Sequence, residues 1–452
     1  MKRTYIFLVI ISFVFPFISC KKYLDAKPNK ALVIPQKLSD LQKIVDNDGL
    51  MNETDPHIAE IACDDYYVVS TFYPILSTIE QDIYTWNPGV RSDLCWINTY
   101  QKIYMSNLIL DYLDEVVNDG DLNTYNSIKG AAYFIRGFSL FTGAQVYTLP
   151  YNKGVNENEL GMPIKISSDI NSPTSRSFLK ETYDQITSDL KLACEYLPAD
   201  ISPITRPSKA VSYLVLANVY LQMQEYSLAA TYADSCLRLK NLLIDFNSLD
   251  TNSPNPISRG NSEVLYESNI ISSLPLNAFL SRVDSNLYKS YNQNDLRKLI
   301  FYQDNGDGTA SFKGGYIGNI TSQALYSGAS VDEAYLIKAE CSARLNDLKE
   351  ASDKLNGLLL KRFKTGSFQP YRFTDQVIAL RTILDERRKE LAFRGGRRWW
   401  DLRRLNIDPA LATTLRRIIN GTIVELPPND LRYAFLIPEQ SITVGNIDQN
   451  AR

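Results

Sequence analysis

Residues 385–405 read Asp-Glu-Arg-Arg-Lys-Glu-Leu-Ala-Phe-Arg-Gly-Gly-Arg-Arg-Trp-Trp-Asp-Leu-Arg-Arg-Leu. Glu386 and Glu390 are one helical turn apart, and Arg387, Leu391 and Arg394 follow the same spacing, so a helix runs up to the glycine pair. Gly395-Gly396 stops or bends it. Trp399 and Trp400 open a second short segment, in which Asp401, Arg403 and Arg404 are placed to pair with the first. The pattern predicts a buried aromatic pair ringed by surface ion pairs. Arginines among aromatics also serve phosphate and nucleic-acid sites. A chain with 48 Lys and Arg against 51 Asp and Glu, at net −3, gives no reason to propose nucleic acid.

The stretch from Glu386 to Arg404 closely resembles the C-terminal signature of the SusD/RagB family, nutrient-binding lipoproteins of the Bacteroidetes outer membrane. Arg394 stands where the family usually has Glu, which predicts a rearranged local ion pair. The resemblance implies that this segment is structural and lies well away from the ligand. It extends to the closing phrase, Phe435-Leu-Ile-Pro-Glu-Gln-Ser-Ile442 followed by Asn446-Ile-Asp-Gln-Asn450.

The start of the chain agrees. Lys2 and Arg3 precede an apolar run from Tyr5 to Ile18, then Ser19-Cys20. A basic head, a short apolar stretch and a small residue at the cut make a secretory signal peptide. The run is too short to span a bilayer, which takes roughly 20 residues. Cys20 directly after Ser19 fits a lipobox, with Phe17 where Leu is usual, so Cys20 is the expected lipidated N-terminus. The following Lys21-Lys-Tyr-Leu-Asp-Ala-Lys-Pro28 resembles the usual mature start of the family.

With residues 1–19 assigned to the signal peptide, residues 20–452 read as one large domain, since no Pro/Gly/Ser-rich linker or charge block divides them. A 44% hydrophobic and 22% charged composition is that of an ordinary globular protein. Besides Cys20 there are Cys63, Cys95, Cys194, Cys236 and Cys341, an odd number without CxxC spacing, so neither a disulfide framework nor a metal site is assigned. His57 is the single histidine. That argues against zinc sites, Ser-His-Asp triads and Cys-His pairs.

Residues 207–240 carry Ala210, Tyr213, Leu214, Ala217, Tyr220 and Leu221 at helical spacing, then Ala229, Ala233 and Cys236 in a second helix. Tyr213, Ala217, Tyr220 and Ala229 match the tetratricopeptide pattern, in which small residues let two helices approach closely. The spacing returns at Tyr335, Ala339 and Ala351, with Leu355 and Leu358 in the places of Ala233 and Cys236. Tyr133 and Gly137 repeat its first half on a helix near 125–147. The expected fold is mainly α: helix pairs at about 98–147, 178–240 and 331–363, supporting a loop-rich ligand-binding face, as the resemblance also implies. Stretches 47–97, 148–176, 241–330 and 406–452 lack periodicity and are candidates for functional loops. Within them, Asp304-Asn-Gly-Asp-Gly308 before Ser311-Phe312-Lys313 reads as a hairpin turn. It resembles part of a calcium loop but has Gly306 at a ligand position and no closing Glu.

A protein holds sugar rings with exposed aromatic faces flanked by polar groups. Trp399 and Trp400 belong to the signature, Trp96 falls on a core helix face, and Trp86 sits at the end of a possible strand. Where family members carry an acidic pair and stacking aromatics, this chain has Asp64, Asp65, Tyr66 and Tyr67. A second ligand segment implied by the resemblance lies between residues 268 and 287 and offers Phe279, Arg282 and Asp284. The expected function is binding without catalysis, and no cofactor or metal is expected. A cell-surface lipoprotein, anchored in the outer membrane and facing the exterior, would capture an oligosaccharide and deliver it to a TonB-dependent (SusC-like) transporter. Tyrosine in place of tryptophan also leaves room for a peptide ligand. The rival readings are a glycoside hydrolase using two carboxylates, for which no motif isolates a pair, and a protein-binding scaffold.

Overall fold

Ser208 and Asp347 stand at the heads of two helical hairpins built alike. Their side chains cap the amides of Val211 at 3.4 Å and Glu350 at 3.1 Å, satisfying a donor that a helix start leaves open. In the first hairpin Lys209–Gln222 is followed by Tyr226–Leu239, and in the second Val331–Arg344 by Leu348–Leu359. Both turns use a left-handed residue at the matching position, Gln224 at φ 61° and Asn346 at φ 63°. Ala217, Ala229, Ala339 and Ala351 are fully buried, as close approach requires.

These hairpins belong to a run in which each helix as far as the eighth packs on the next: α1 (Asp93–Tyr112), α2 (Leu122–Tyr147), α3 (Leu179–Tyr196), α4 (Lys209–Gln222), α5 (Tyr226–Leu239), α6 (Val331–Arg344), α7 (Leu348–Leu359) and α8 (Gln376–Glu390), while α9 (Arg397–Leu405) packs against α4. The computed structural model describes residues 35–318 and 324–452. Residues 1–19, expected to be a signal peptide, and Cys20 lie outside the described residues. Lys37–Arg452 forms one compact unit. At Gly137 on α2, a Cβ would stand 3.1 Å from that of Asp189 on α3, so the two backbones meet where the repeat pattern puts a small residue. Beside it Arg136 makes a two-pronged bond to Asp189 at 2.8 and 2.6 Å, and a third to Asn107 of α1.

The signature forms the end of α8, a turn and α9. Gly395 and Gly396 take φ of 56° and 86°, and a Cβ on Gly396 would stand 2.7 Å from that of Ala59. Trp399 and Trp400 are buried, Trp400 edge-on to Phe141 with ring centres 5.1 Å apart. The ion pairs around them are not at the surface, which corrects the expectation. Glu390 bridges Arg297 at 3.1 Å and Arg362 at 2.8 Å, all three with fully buried side chains. Arg387 meets Asp401 at 2.8 Å, Arg397 meets Glu333 at 2.9 Å and Arg404 meets Glu340 at 2.5 Å. Arg394 pairs with Asp332 at 3.0 Å and lies over the Tyr316 ring, so the departure from the family pattern has a partner of its own. Among the described residues Arg403 pairs with no acid. Its guanidinium donates to the carbonyls of Gln145 and Thr148, which α2 leaves open at its C-terminus.

Other expectations need correction. The 47–97 stretch holds the helices Ile58–Ala62 and Thr78–Tyr84, and α1 begins at Asp93. All five residues of Ile58–Ala62 are buried, so no polar face marks its period. Trp86 follows a helix, not a strand; it takes φ 54°, and its indole donates to the Ala62 carbonyl at 2.9 Å. The 406–452 stretch contains a hairpin, Leu415–Ile419 with Thr422–Leu426, turning at Asn420-Gly421. The single histidine does not preclude a Cys-His contact: His57 Nδ1 lies 3.4 Å from Cys95 Sγ. Trp96 packs in the core against Tyr147, as expected.

Trp400→Ala should cost about 3–5 kcal/mol, the range for emptying a buried aromatic site. A drop in the urea midpoint at constant slope would register it. A midpoint near that of wild type would remove the indole from the core.

Candidate ligand-binding site

The loop face is organised by two short strand pairs. β1 (Tyr66–Val68) runs antiparallel to β2 (Ser281–Val283), with Tyr67 opposite Arg282, and β3 (Tyr302–Asp304) runs antiparallel to β4 (Ala310–Phe312). The second pair is the hairpin expected around residues 304–308. The hydroxyl of Ser311 on β4 donates to the Ala278 carbonyl at 3.0 Å and so ties the hairpin to the loop that leads into β2.

Side chains alternate across a strand, and this parity divides the expected aromatic pair. Tyr66 points inward and is 1% exposed. Its hydroxyl donates to the Ile61 carbonyl at 2.9 Å, and its ring lies 5.9 Å from that of Tyr84 and 6.3 Å from that of Phe393. It is a core residue and not a stacking platform. Tyr67 points the other way and is partly exposed.

The acidic pair is also engaged elsewhere. Asp64 accepts from Arg398 at 2.6 and 3.0 Å and from Arg388 at 3.2 Å. Burial would raise its pKa, but the two guanidiniums overcome that and hold it below the usual carboxylate range. Asp65 is buried and meets Arg388 at 3.4 Å. Its second oxygen has no hydrogen-bond partner among the described residues. Arg388 and Arg398 are signature residues, so this face is not remote from the signature but is held by it. Asp284 caps the helix Ser285–Ser290 and also stands near Arg388, at 3.7 Å.

Behind the acidic pair, Glu60, Cys63 and Asp65 bring their ligand-type atoms within 4.8 Å of one another, all buried. Burial, with the Asp65 charge beside it, pushes Glu60 up to about 8. Burial, with Asp64 adding to it, pushes Asp65 up to about 6 against the pull of Arg388. Burial drives the Cys63 thiol well above its usual value. The guanidiniums of Arg388 and Arg397 already bring positive charge to these carboxyls.

Phe279 and Arg282 stand differently. Both line a cavity of about 370 Å3 that opens between the loop before β2 and the β3–β4 hairpin, with Gln303, Asn305, Phe312 and Lys313 on its other walls. Small-ligand sites occupy roughly 300–1,000 Å3. Phe279 is 83% exposed, a large apolar side chain left to solvent beside the cavity. Its amide is fixed by Asn277 Oδ1 at 2.8 Å. Arg282 Nη1 donates to the carbonyls of Ser281 at 2.7 Å, Phe279 at 3.2 Å and Ala278 at 3.3 Å, which sets the guanidinium against the loop. Of the six residues expected at the site, two line this cavity, Tyr67 lies next to Arg282 through its strand pairing, and Asp64, Asp65 and Tyr66 support the wall behind. The sequence reading missed Gln303, Asn305, Phe312 and Lys313. It read their hairpin only as a turn, and nothing local shows that the turn folds against residue 279.

Glu60 carries a pH signature. A carboxyl whose pKa is raised on folding contributes stability below the unfolded value of 4.5 and loses it as pH rises toward 8. Asp65, raised to about 6, acts in the same direction. Glu60→Gln mimics the protonated form, so its melting temperature should match wild type near pH 5 and exceed it near pH 8.5. Parallel pH profiles for the two proteins would contradict this.

The comparisons with known proteins follow the same outline. A SusD-like family model, described as starch-binding and associating with the outer membrane, matches residues 22–221. The SusD family model matches residues 332–439, a span that contains the whole signature. The SusD-like protein P2 of Formosa agariphila is 24% identical over 375 residues, covering 69% of this chain and 71% of the relative. A solved SusD superfamily protein of Bacteroides thetaiotaomicron superposes with a TM-score of 0.74 at 21% identity, over 92% of this chain and all of its own. A SusD-like carbohydrate binding protein of Bacteroides vulgatus superposes with a TM-score of 0.67 at 20% identity, over 91% of this chain and 97% of its own. With matches at both ends, a shared fold and the Arg-Trp signature between α8 and α9, the chain belongs to the SusD/RagB family.

Proposed function

We propose that the protein is a carbohydrate-binding lipoprotein of the outer membrane. In this reading it captures an oligosaccharide in the Phe279–Lys313 cavity and passes it unchanged to a TonB-dependent transporter. The observation that carries it is Phe279, 83% exposed beside a cavity whose lining includes Gln303 and Asn305. An aromatic face takes the C–H face of a sugar ring, and side-chain amides both donate to and accept from its hydroxyls. Binding without bond cleavage is supported by what surrounds the nearby carboxylates. Asp64 is held by two arginines, Asp65 is buried, and among the described residues no Asp or Glu lines the cavity. A hydrolase would need two carboxyl groups facing one glycosidic bond.

The mature chain in this reading runs from Cys20 as one domain, with Cys20 diacylated and the protein facing the cell exterior. Cys20→Ala should move it from the membrane to the soluble fraction, and mild-detergent purification of the wild type should bring a barrel transporter with it. Membrane retention of the variant without lipid by mass spectrometry would overturn the anchor, and absence of the barrel would overturn the partnership.

Phe279→Ala should weaken oligosaccharide binding by about tenfold, the loss expected for one stacked ring. An exposed side chain removed in this way should change stability by no more than about 0.5 kcal/mol. Isothermal titration against oligosaccharides and peptides reads the first, and thermal melting the second. Equal affinity in both proteins, or ligands found only among peptides, would overturn the assignment.

A further inference from the structure

We propose that the cavity selects acidic oligosaccharides, chains that carry uronate carboxylates or sulfate esters, over neutral ones. The proposal rests on the reading above that the cavity holds a glycan, and adds the charge of that glycan. Among the described residues, two cations line the cavity, Arg282 and Lys313, and no Asp or Glu does. This contrasts with the rest of the face. Arg388 and Arg398 meet carboxylates directly, and so does every arginine of the α8–α9 signature named above except Arg403.

Arg282 makes its protein hydrogen bonds through Nη1 alone, to three loop carbonyls. Among the described residues, Nε and Nη2 have no acceptor. A guanidinium held by one nitrogen, with its other edge unused, presents the planar fork that matches a carboxylate or sulfate with two parallel bonds. Asp307 on the hairpin turn lies within the field of Arg282, but it is exposed and outside the cavity lining.

Lys313 is more enclosed. Its ammonium donates to the carbonyls of Thr251 at 2.8 Å and Ser253 at 3.2 Å, which leaves a third proton. Burial pulls its pKa below the usual lysine value, with Asp250 opposing. The protein therefore bears a cost for keeping this charge. A neutral sugar laid over the cavity would take both cations further from water and return no countercharge. An acidic one would supply it. Phe279 contributes the stacking surface in either case, so the discrimination falls to Arg282 and Lys313.

The test uses the full mature protein on an array with three arms of matched chain length: neutral, uronate-containing and sulfated oligosaccharides. Hits are then titrated by calorimetry. The expected result is binding confined to the acidic arms, with affinity falling several-fold between about 50 and 300 mM salt as the charges are screened. Arg282→Gln should weaken the best acidic hit by about tenfold or more, whereas Arg282→Lys should keep the preference for acid at reduced affinity. Lys313→Gln should act in the same direction. Because Lys313 and Arg282 both tie loop carbonyls, the deciding comparison is Arg282→Gln against Arg282→Lys on the acidic and neutral arms, each with an unchanged melting temperature. Which acidic arm responds identifies the carboxylate or the sulfate as the group recognised. Hits in the neutral arm that Arg282→Gln leaves unchanged would overturn the inference and leave the glycan reading standing. Absence of hits in all three arms would overturn both.

Discussion

The interaction on which the rest of the molecule depends is the buried meeting of Glu390 with Arg297 and Arg362. All three side chains are shut off from solvent. Taking an ion out of water costs several kcal/mol even after relaxation, and a pair offsets that only when its hydrogen-bonding positions are met. They are met by groups far apart in the chain. Arg297 also holds Asp295 and Glu386, and Arg362 also holds Glu263 and the Ile244 carbonyl. Residues 244, 263, 295–297, 362 and 386–390 are thereby fixed at one point. The long segment between α5 and α6 has little regular structure of its own, and it is pinned to the helical repeats by charge. Removing one member strands the others, so the cluster acts as a unit.

The ligand face is one step further along the same construction. Arg388 and Arg398 leave the signature on its other side and hold Asp64 and Asp65, the residues that lead into β1. The Asp65 carbonyl receives the Asp284 amide at 2.8 Å, and β1 pairs with β2 beyond it. That pairing sets Arg282 and, three residues earlier, the loop position of Phe279. The signature therefore decides where the side chains of the proposed ligand face stand. Sites on rigid support keep their geometry, and here the support is a set of ion pairs beneath two short strands.

Part of this was legible in the sequence. The helix repeats were, because Tyr213, Ala217 and Ala229 recur as Tyr335, Ala339 and Ala351, and small residues at a helix crossing cannot be exchanged for large ones. The signature was legible as structure but not as a buried network. Its carboxylate partners Asp332, Glu333 and Glu340 lie 45 or more positions away, and charge on a helix reads locally as surface. The division between Tyr66 and Tyr67 turns on the parity of a three-residue strand, too short to show alternation. Phe279 and Arg282 could be named because they fall in the aperiodic segment that the family resemblance marks for ligand. The hairpin residues opposite them could not, since only the folded chain brings residue 313 beside residue 279.

Hydrogen–deuterium exchange with and without a bound oligosaccharide tests this account most directly. The account predicts that residues 385–405 are already among the slowest to exchange in the free protein and do not change on binding. Added protection should fall on residues 276–283 and 302–317. Protection appearing instead in residues 385–405, or in the groove where Trp96 and Tyr100 face Val444, with residues 276–283 unchanged, would contradict it.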